Sequence, residues 1–288
     1  MTTYHIKPVD NRVQGRLALV TGARALAAEG CDVALHYSSS QEKAQTLASE
    51  LQASFPEQRF FCVAADLSNR DATRALVPNV LSHGEVAGRH SAVSILVANA
   101  GVGKRIRDIQ NIEEDNWDEV MEVNARSQFV VTKACLPGMR SQSWGRVILV
   151  GSIASRGGGI NGCHYAATKG ALSSMGLNLA TVLAPEGVTV NIVRHFHALN
   201  PVSLLSLQLQ VLPALIGSTG MIPTPKAQTW EKNADLEALR EEDPGLAIAA
   251  SIPVHRLGVP EEVANVVTMM AKTGYMTGQE ILLAGGLR

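Results

Sequence analysis

Short apolar runs alternate with amphipathic stretches along the chain. Leu17 to Val20, Asp32 to His36, Arg59 to Ala64, Val93 to Val97, Arg146 to Val150, Val188 to Val193 and Glu280 to Leu283 have the length and content of strands covered on both faces. Between them, Ser40 to Phe55, Asn116 to Met139 and Tyr165 to Leu183 carry helical spacing, as does a shorter stretch, Asp71 to Leu81, interrupted by Pro78. Glu261 to Ala271 follows Pro260, a helix-start signal. This alternation predicts an α/β fold with one doubly wound parallel sheet of about seven strands. Ligands of such sheets sit beyond the carboxyl ends of the strands, where Thr21-Gly22, Asp66, Asn99 and Ser152 fall. No repeat or low-complexity linker divides the chain, so we read an N-terminal extension over 1–15 and one domain over 16–288.

Composition narrows the class. With 46% hydrophobic and 18% charged residues in 288, the chain can bury a substantial core and is not disordered. The formal net charge of −1 builds no field for nucleic acid or anionic membrane. Cys31, Cys62, Cys135 and Cys163 show no paired spacing and read as small core residues in a reducing compartment. The first fifteen residues hold no apolar stretch, so no secretory signal is visible. The apolar segment Phe196 to Ile216 is interrupted by Asn200, Pro201, Gln208, Gln210 and Pro213, which argues against a membrane span. The expectation is a cytoplasmic protein.

The candidate chemistry lies in Tyr165-Ala166-Ala167-Thr168-Lys169, with Ser152 thirteen residues upstream. A lysine four residues after a tyrosine shares its helix face, and its charge favours the phenolate. A serine from a strand end can hydrogen-bond the same substrate oxygen. Together these form a proton-transfer device for a carbonyl/alcohol pair, the chemistry that accompanies hydride transfer.

In order along the chain stand Thr21-Gly22-Ala23, Ala65-Asp66-Leu67, Asn99-Ala100-Gly101, Asn124, Ser152, Tyr165 with Lys169, Arg256-Leu257-Gly258-Val259-Pro260-Glu261 and Thr277-Gly278-Gln279. That series resembles the short-chain dehydrogenase/reductase family, most of all its 3-oxoacyl-carrier-protein reductase-like members, and covers most of the chain. The resemblance implies a Rossmann-like domain and a ketone/alcohol oxidoreductase. It makes Tyr165 the general acid or base, Lys169 the group that lowers its pKa and binds the nicotinamide ribose, Ser152 the carbonyl polariser and Asn124 the holder of a relay water. It places Asp66 at the adenine edge and Asn99, Ala100 and Gly101 against the cofactor, with Thr21 and Gly22 in the phosphate turn. Structural alternatives are a helix kink at Asn124, a helix cap at Asp66 and turn chemistry at Asn99. It also implies a homo-oligomer paired through the helices near 116–139 and 165–183.

Cofactor choice follows from charge. A carboxylate at the end of the second strand would bind the NAD ribose and repel a 2′-phosphate. Here that strand ends in His36-Tyr37-Ser38-Ser39-Ser40, with hydroxyls from Tyr37 and Ser38 and no acid, and Arg24 can add positive charge. NADP(H) is favoured over NAD(H).

Two departures set the chain apart. The family's phosphate loop reads Thr-Gly-x-x-x-Gly-x-Gly and enters a full helix, whose dipole and backbone amides grip a diphosphate. Here Thr21-Gly22-Ala23-Arg24 passes straight into Ala25-Leu26-Ala27-Ala28-Glu29-Gly30, roughly nine residues short. The helix left, about seven residues, is less than a parallel crossover normally takes, and predicts strained or rearranged linkage of the first two strands. The second departure is an insert near 194–212, whose Leu205 to Val211 alternates like an edge strand. An in-frame loss with an in-frame gain resembles an exon-boundary difference, so a catalytically silent member or splice variant is the alternative. His195 and His197 suggest no metal, since no third ligand has suitable spacing. Ala284-Gly285-Gly286 stands where the family commonly has Asp-Gly-Gly.

Overall fold

The computed structural model describes residues 9–20, 24–157, 161–195, 251–254, 258 and 260–287. Seven strands form one sheet: β1 Leu17–Val20, β2 Asp32–Tyr37, β3 Phe60–Ala64, β4 Ile95–Ala98, β5 Gly145–Ser152, β6 Val188–His195 and β7 Glu280–Leu283. The order is β3-β2-β1-β4-β5-β6-β7, and every pairing is parallel. Chain direction across the sheet reverses between β1 and β4, which opens a crevice at their carboxyl ends.

The helices are α1 Arg24–Ala28, α2 Gln41–Ser54, α3 Arg70–Ser82, α4 Glu114–Met121, α5 Ser127–Ser141, α6 Gly162–Leu183 and α7 Pro260–Lys272. Strand side chains alternate between two cores, as a period of two requires. Ala18, Val20, Ile148 and Val150 pack with Leu26, Leu51, Val267 and Met270 from α1, α2 and α7. Leu17, Leu19, Val147 and Leu149 pack with Val80, Val131, Ala180 and Leu183 from α3, α5 and α6. The sheet is thus covered on both faces, which explains why its strands read as continuous apolar runs.

Several expectations change in detail. Helix α3 runs straight through Pro78, because buried Leu76, Val77 and Val80 hold the turns around it. The long helix after Glu113 is interrupted by a π turn over Glu122–Arg126, between α4 and α5. Among the cysteines, all free, Cys31 and Cys135 are buried, Cys62 is half-buried and Cys163 is exposed. The core reading therefore fails for Cys163, which occupies the outward face of the first turn of α6. Among the described residues no helix is long and apolar enough to cross a membrane, and no cluster of His, Cys, Asp and Glu could hold a metal. The expected edge strand at 205–211, with His197, lies outside the described residues.

The shortened first unit keeps its topology. Strands β1 and β2 are parallel neighbours with Leu17 opposite Asp32, although α1 has only five residues. The link closes through Cys31 N–H to Leu26 O at 3.1 Å and Gly30 N–H to Ala27 O at 2.9 Å, with Gly30 at φ +84°. A glycine in the left-handed region ends a helix without steric cost. Neither rearrangement nor strain is needed in the described part of the crossover. Ahead of β1, the Trp144 indole donates to the Asp10 carbonyl at 2.8 Å, and the guanidinium carbons of Arg16 and Arg146 lie 4.3 and 4.1 Å from its ring centroid.

Candidate active site

Helix α6 and the end of β5 bring Ser152, Tyr165 and Lys169 together. Buried positions recur along α6 at His164, Tyr165, Thr168, Lys169, Leu172, Gly176, Ala180 and Leu183, one stripe facing the sheet. The first turn carries the tyrosine into the protein and the second carries the lysine. Gly162 makes this start possible: at φ +78°, a Cβ there would sit 1.9 Å from the Ile106 carbonyl oxygen.

Tyr165 is 6% exposed and packs against Val120 and Ala154. Burial pushes its phenol up to about 12, opposed only by a hydrogen bond with the Ser152 side chain. Burial also pulls the Lys169 ammonium down to about 8. Its Nζ donates to the Val150 carbonyl at 2.9 Å and lies 5.7 Å from the Tyr165 ring centroid. Desolvation of the phenolate is thus the dominant influence on the Tyr165 pKa, and it acts upward. Ser152 Oγ also accepts the Ala154 N–H at 3.2 Å. Such a set can hand a proton to an oxygen developing negative charge beside both hydroxyls.

Asn124 lies inside the π turn with no solvent exposure. The π turn interrupts the regular helix at Asn124, whose side chain meets the loop after β4. Oδ1 accepts the Val102 N–H at 2.6 Å, while Nδ2 donates to the Val102 carbonyl at 2.8 Å and to Thr168 Oγ1 at 3.3 Å. Thr168 in turn donates to the Tyr165 carbonyl at 2.7 Å. This link from Asn124 to the tyrosine turn was not anticipated; its only sequence signal is a threonine three residues after Tyr165, a common helix back-bond.

Of the expected cofactor residues, Tyr37 and Ser38, Asp66, and Asn99 to Gly101 lie at or just beyond the carboxyl ends of β2, β3 and β4 respectively. Asn99 is buried, and the Ala100 carbonyl accepts from Gln128 Nε2 at 2.9 Å, fixing the end of β4. At Gly101 a Cβ would lie 3.1 Å from Asn124 Oδ1 and 3.7 Å from Lys169 Nζ, so a bare backbone is what keeps that approach open. Tyr37 is half-buried at the end of β2 and Ser38 is exposed beside it. Just inside them, His36 Nε2 contacts the Ala65 carbonyl at 2.9 Å, and burial holds its pKa below the ordinary value despite that bond. Asp66 is exposed; its Oδ1 accepts from Ser68 N at 2.9 Å and Ser68 Oγ at 2.7 Å, bonds that hold the carboxyl below its usual range. The cap of α3 is not Asp66 but Asn69, whose side chain accepts from Asp71 N and Ala72 N, both at 2.9 Å. Thr21 and Gly22 lie outside the described residues, and Arg24 opens α1.

Comparisons with known proteins converge on one family. The profile described as short chain dehydrogenase matches residues 20–195. Nodulation protein G of a Rhizobium species is 32% identical over 284 positions, spanning 95% of this chain and 97% of that one. A Staphylococcus aureus protein named 3-oxoacyl-acyl-carrier-protein reductase FabG is 28% identical, spanning 94% of this chain and 97% of its own. A crystal structure of a dehydrogenase/reductase from Sinorhizobium meliloti superposes with a TM-score of 0.71 at 25% identity, covering 96% of this chain and 97% of that one.

Proposed function

Because the chain belongs to the short-chain dehydrogenase family, we propose that it is an NADP(H)-dependent oxidoreductase of the cytoplasm that interconverts a small ketone and its alcohol. The observation that carries this reading is the buried pairing of the Ser152 and Tyr165 side chains with Lys169 one turn along the same helix. By similarity to the Staphylococcus aureus reductase, a 3-oxoacyl compound is the favoured substrate class.

When bound, the nicotinamide supplies or accepts the hydride. The bare backbone at Gly101, beside the Lys169 ammonium, fits the nicotinamide ribose, with Asn99 and Ala100 alongside. Tyr37, Ser38 and Arg24 suit a 2′-phosphate, Asp66 the adenine edge, and Thr21 with Gly22 the diphosphate. Ser152 donates to the substrate oxygen and fixes it beside Tyr165. With its pKa held near 12, Tyr165 stays protonated at neutral pH and gives its proton to the forming alkoxide, a stronger base. The positive charge of Lys169 stabilises the phenolate left behind, and Asn124 ties the loop after β4 to the turn that carries Tyr165.

We further infer pairing of subunits through α4, α5 and α6. Phe129, Leu177 and Val182 are 49%, 42% and 54% exposed there. Phe129 also lines a groove of about 790 Å³, together with Met121, Leu172 and Met175. None of its lining residues is Ser152 or Tyr165.

A second reading is favoured by one observation, the five-residue α1: a catalytically silent member, or splice variant, acting through such pairing. Titration of the folded protein with NADPH and NADH separates the two. Saturable, NADPH-preferring binding with turnover of an acetoacetyl thioester supports the reductase. No binding to a folded, paired protein supports the silent subunit, and a homogeneous monomer that binds no family member sinks that second reading too.

A further inference from the structure

Strand β6 ends in two buried polar residues, Arg194 and His195. Register sets Arg194 opposite Gly151 and His195 opposite Ser152. Arg194 therefore stands beside the last two residues of the strand that delivers the Ser152 hydroxyl. Gly151 makes room for it: a Cβ there would lie 3.2 Å from Arg194 Cγ, so the arginine stem lies over the bare backbone. From that position Nε donates to the Ser152 carbonyl at 3.4 Å.

The other end of the guanidinium faces Glu280, which opens β7. Nη1 of Arg194 lies 3.5 Å from Glu280 Oε2, with side-chain exposures of 6% and 13%. Arg156, four residues after Ser152, brings its own guanidinium to the same oxygen at 3.2 Å, from a side chain 73% exposed. The two pairs differ in weight. An exposed arginine gains little from an ion pair, whereas a buried one is held by its counter-charge, because leaving either partner alone strands a desolvated charge. The carbonyl of Ser152 is thus tied to a side chain that is itself fixed by stem packing and by charge. On the far side of the same residue, its hydroxyl meets Ala154 N–H and Tyr165.

We propose that Arg194 is a positioning residue for Ser152, with Glu280 as the counter-charge that holds the guanidinium on the Ser152 carbonyl. Its kinetic consequence rests on the reductase reading; its structural consequence does not. The test compares full-length wild type with Arg194→Met, Arg194→Lys and Glu280→Gln by crystallography and by NADPH-dependent reduction of an acetoacetyl thioester. In Arg194→Met the Ser152–Tyr165 hydroxyl contact should open beyond about 3.5 Å, and in Arg194→Lys it should persist. The methionine variant should lose about ten-fold in kcat with the KM for NADPH unchanged, and the lysine variant should recover most of that loss. A methionine variant that keeps both contact and kcat, losing thermal stability alone, overturns the proposal. If wild type shows no turnover, the reductase reading falls and the hydroxyl separation alone decides. If Arg194→Met does not fold, Glu280→Gln decides: the same opening in weaker form supports the proposal, and an unchanged contact overturns it.

Discussion

In the proposed reaction Tyr165 serves as an acid rather than a pre-formed base, because its burial keeps the phenol protonated far above neutral pH. Tyr165→Phe should lower ketone reduction at least about 100-fold while leaving the Kd for NADPH within about two-fold, read by steady-state kinetics and fluorescence titration. In the same reading Lys169 sets the alkaline limit. Its charge is present below about 8 and is lost above it, so kcat/KM should be flat on the acid side and fall as pH rises through that value. A profile still flat to pH 10 would deny Lys169 that role. The proposed catalytic set can be read from the sequence because a four-residue spacing on a helix and a serine at a strand end are local facts. The direction of the Tyr165 shift was not, since it comes from Val120 and Ala154, which reach the ring from other elements. Thr168 escaped notice for a different reason: its bond to the Tyr165 carbonyl looks like any helical threonine until Asn124 meets it from the π turn.

At the scale of elements, strands were the easier reading. β1 and β7 have the expected bounds, and the rest shift by a residue or two, because residues covered on both faces leave an uninterrupted apolar signal. Helix ends and breaks were harder. Pro78 read as an interruption, yet it costs only local ladder bonds that buried neighbours on α3 offset. The π turn has no sequence signature in this chain apart from the asparagine it serves. Asn69 caps α3 with two amide bonds, so Asn69→Ala should cost about 1 kcal/mol. Calorimetry should then show the melting midpoint lowered by roughly 2 to 4 °C. Helix α1 invites the reverse experiment. Inserting a Gly-x-x-x-Gly-x-Gly turn and two helical turns ahead of Ala25 should raise NADPH affinity about ten-fold or more by restoring amide donors at a helix N-terminus. Unchanged affinity in the folded insertion variant would mean that the short link already holds the diphosphate as well as a long one.

On the scale of the whole molecule, two apolar cores flank one sheet, and a third apolar surface is left on the outside of α5 and α6. Phe129, Leu177 and Val182 are too exposed to belong to either core. Under the proposed pairing, Phe129→Asp with Leu177→Glu should yield a monomer in sedimentation where wild type is paired, with circular dichroism unchanged; a wild-type monomer, or an unchanged sedimentation coefficient, would overturn pairing through this surface. The fold class was legible across the described residues, since alternation of strand and helix is a property of order and not of detail. The first two strands keep their parallel register, Leu17 opposite Asp32, across a link of eleven residues, 21–31, of which 21–23 lie outside the described residues. The pairing of the first two strands therefore does not require a full-length first helix. Under the silent-subunit reading, a chain altered only in that link would still fold and join longer sister chains, so its effect on a cell would be one of dosage, felt through the complexes it entered.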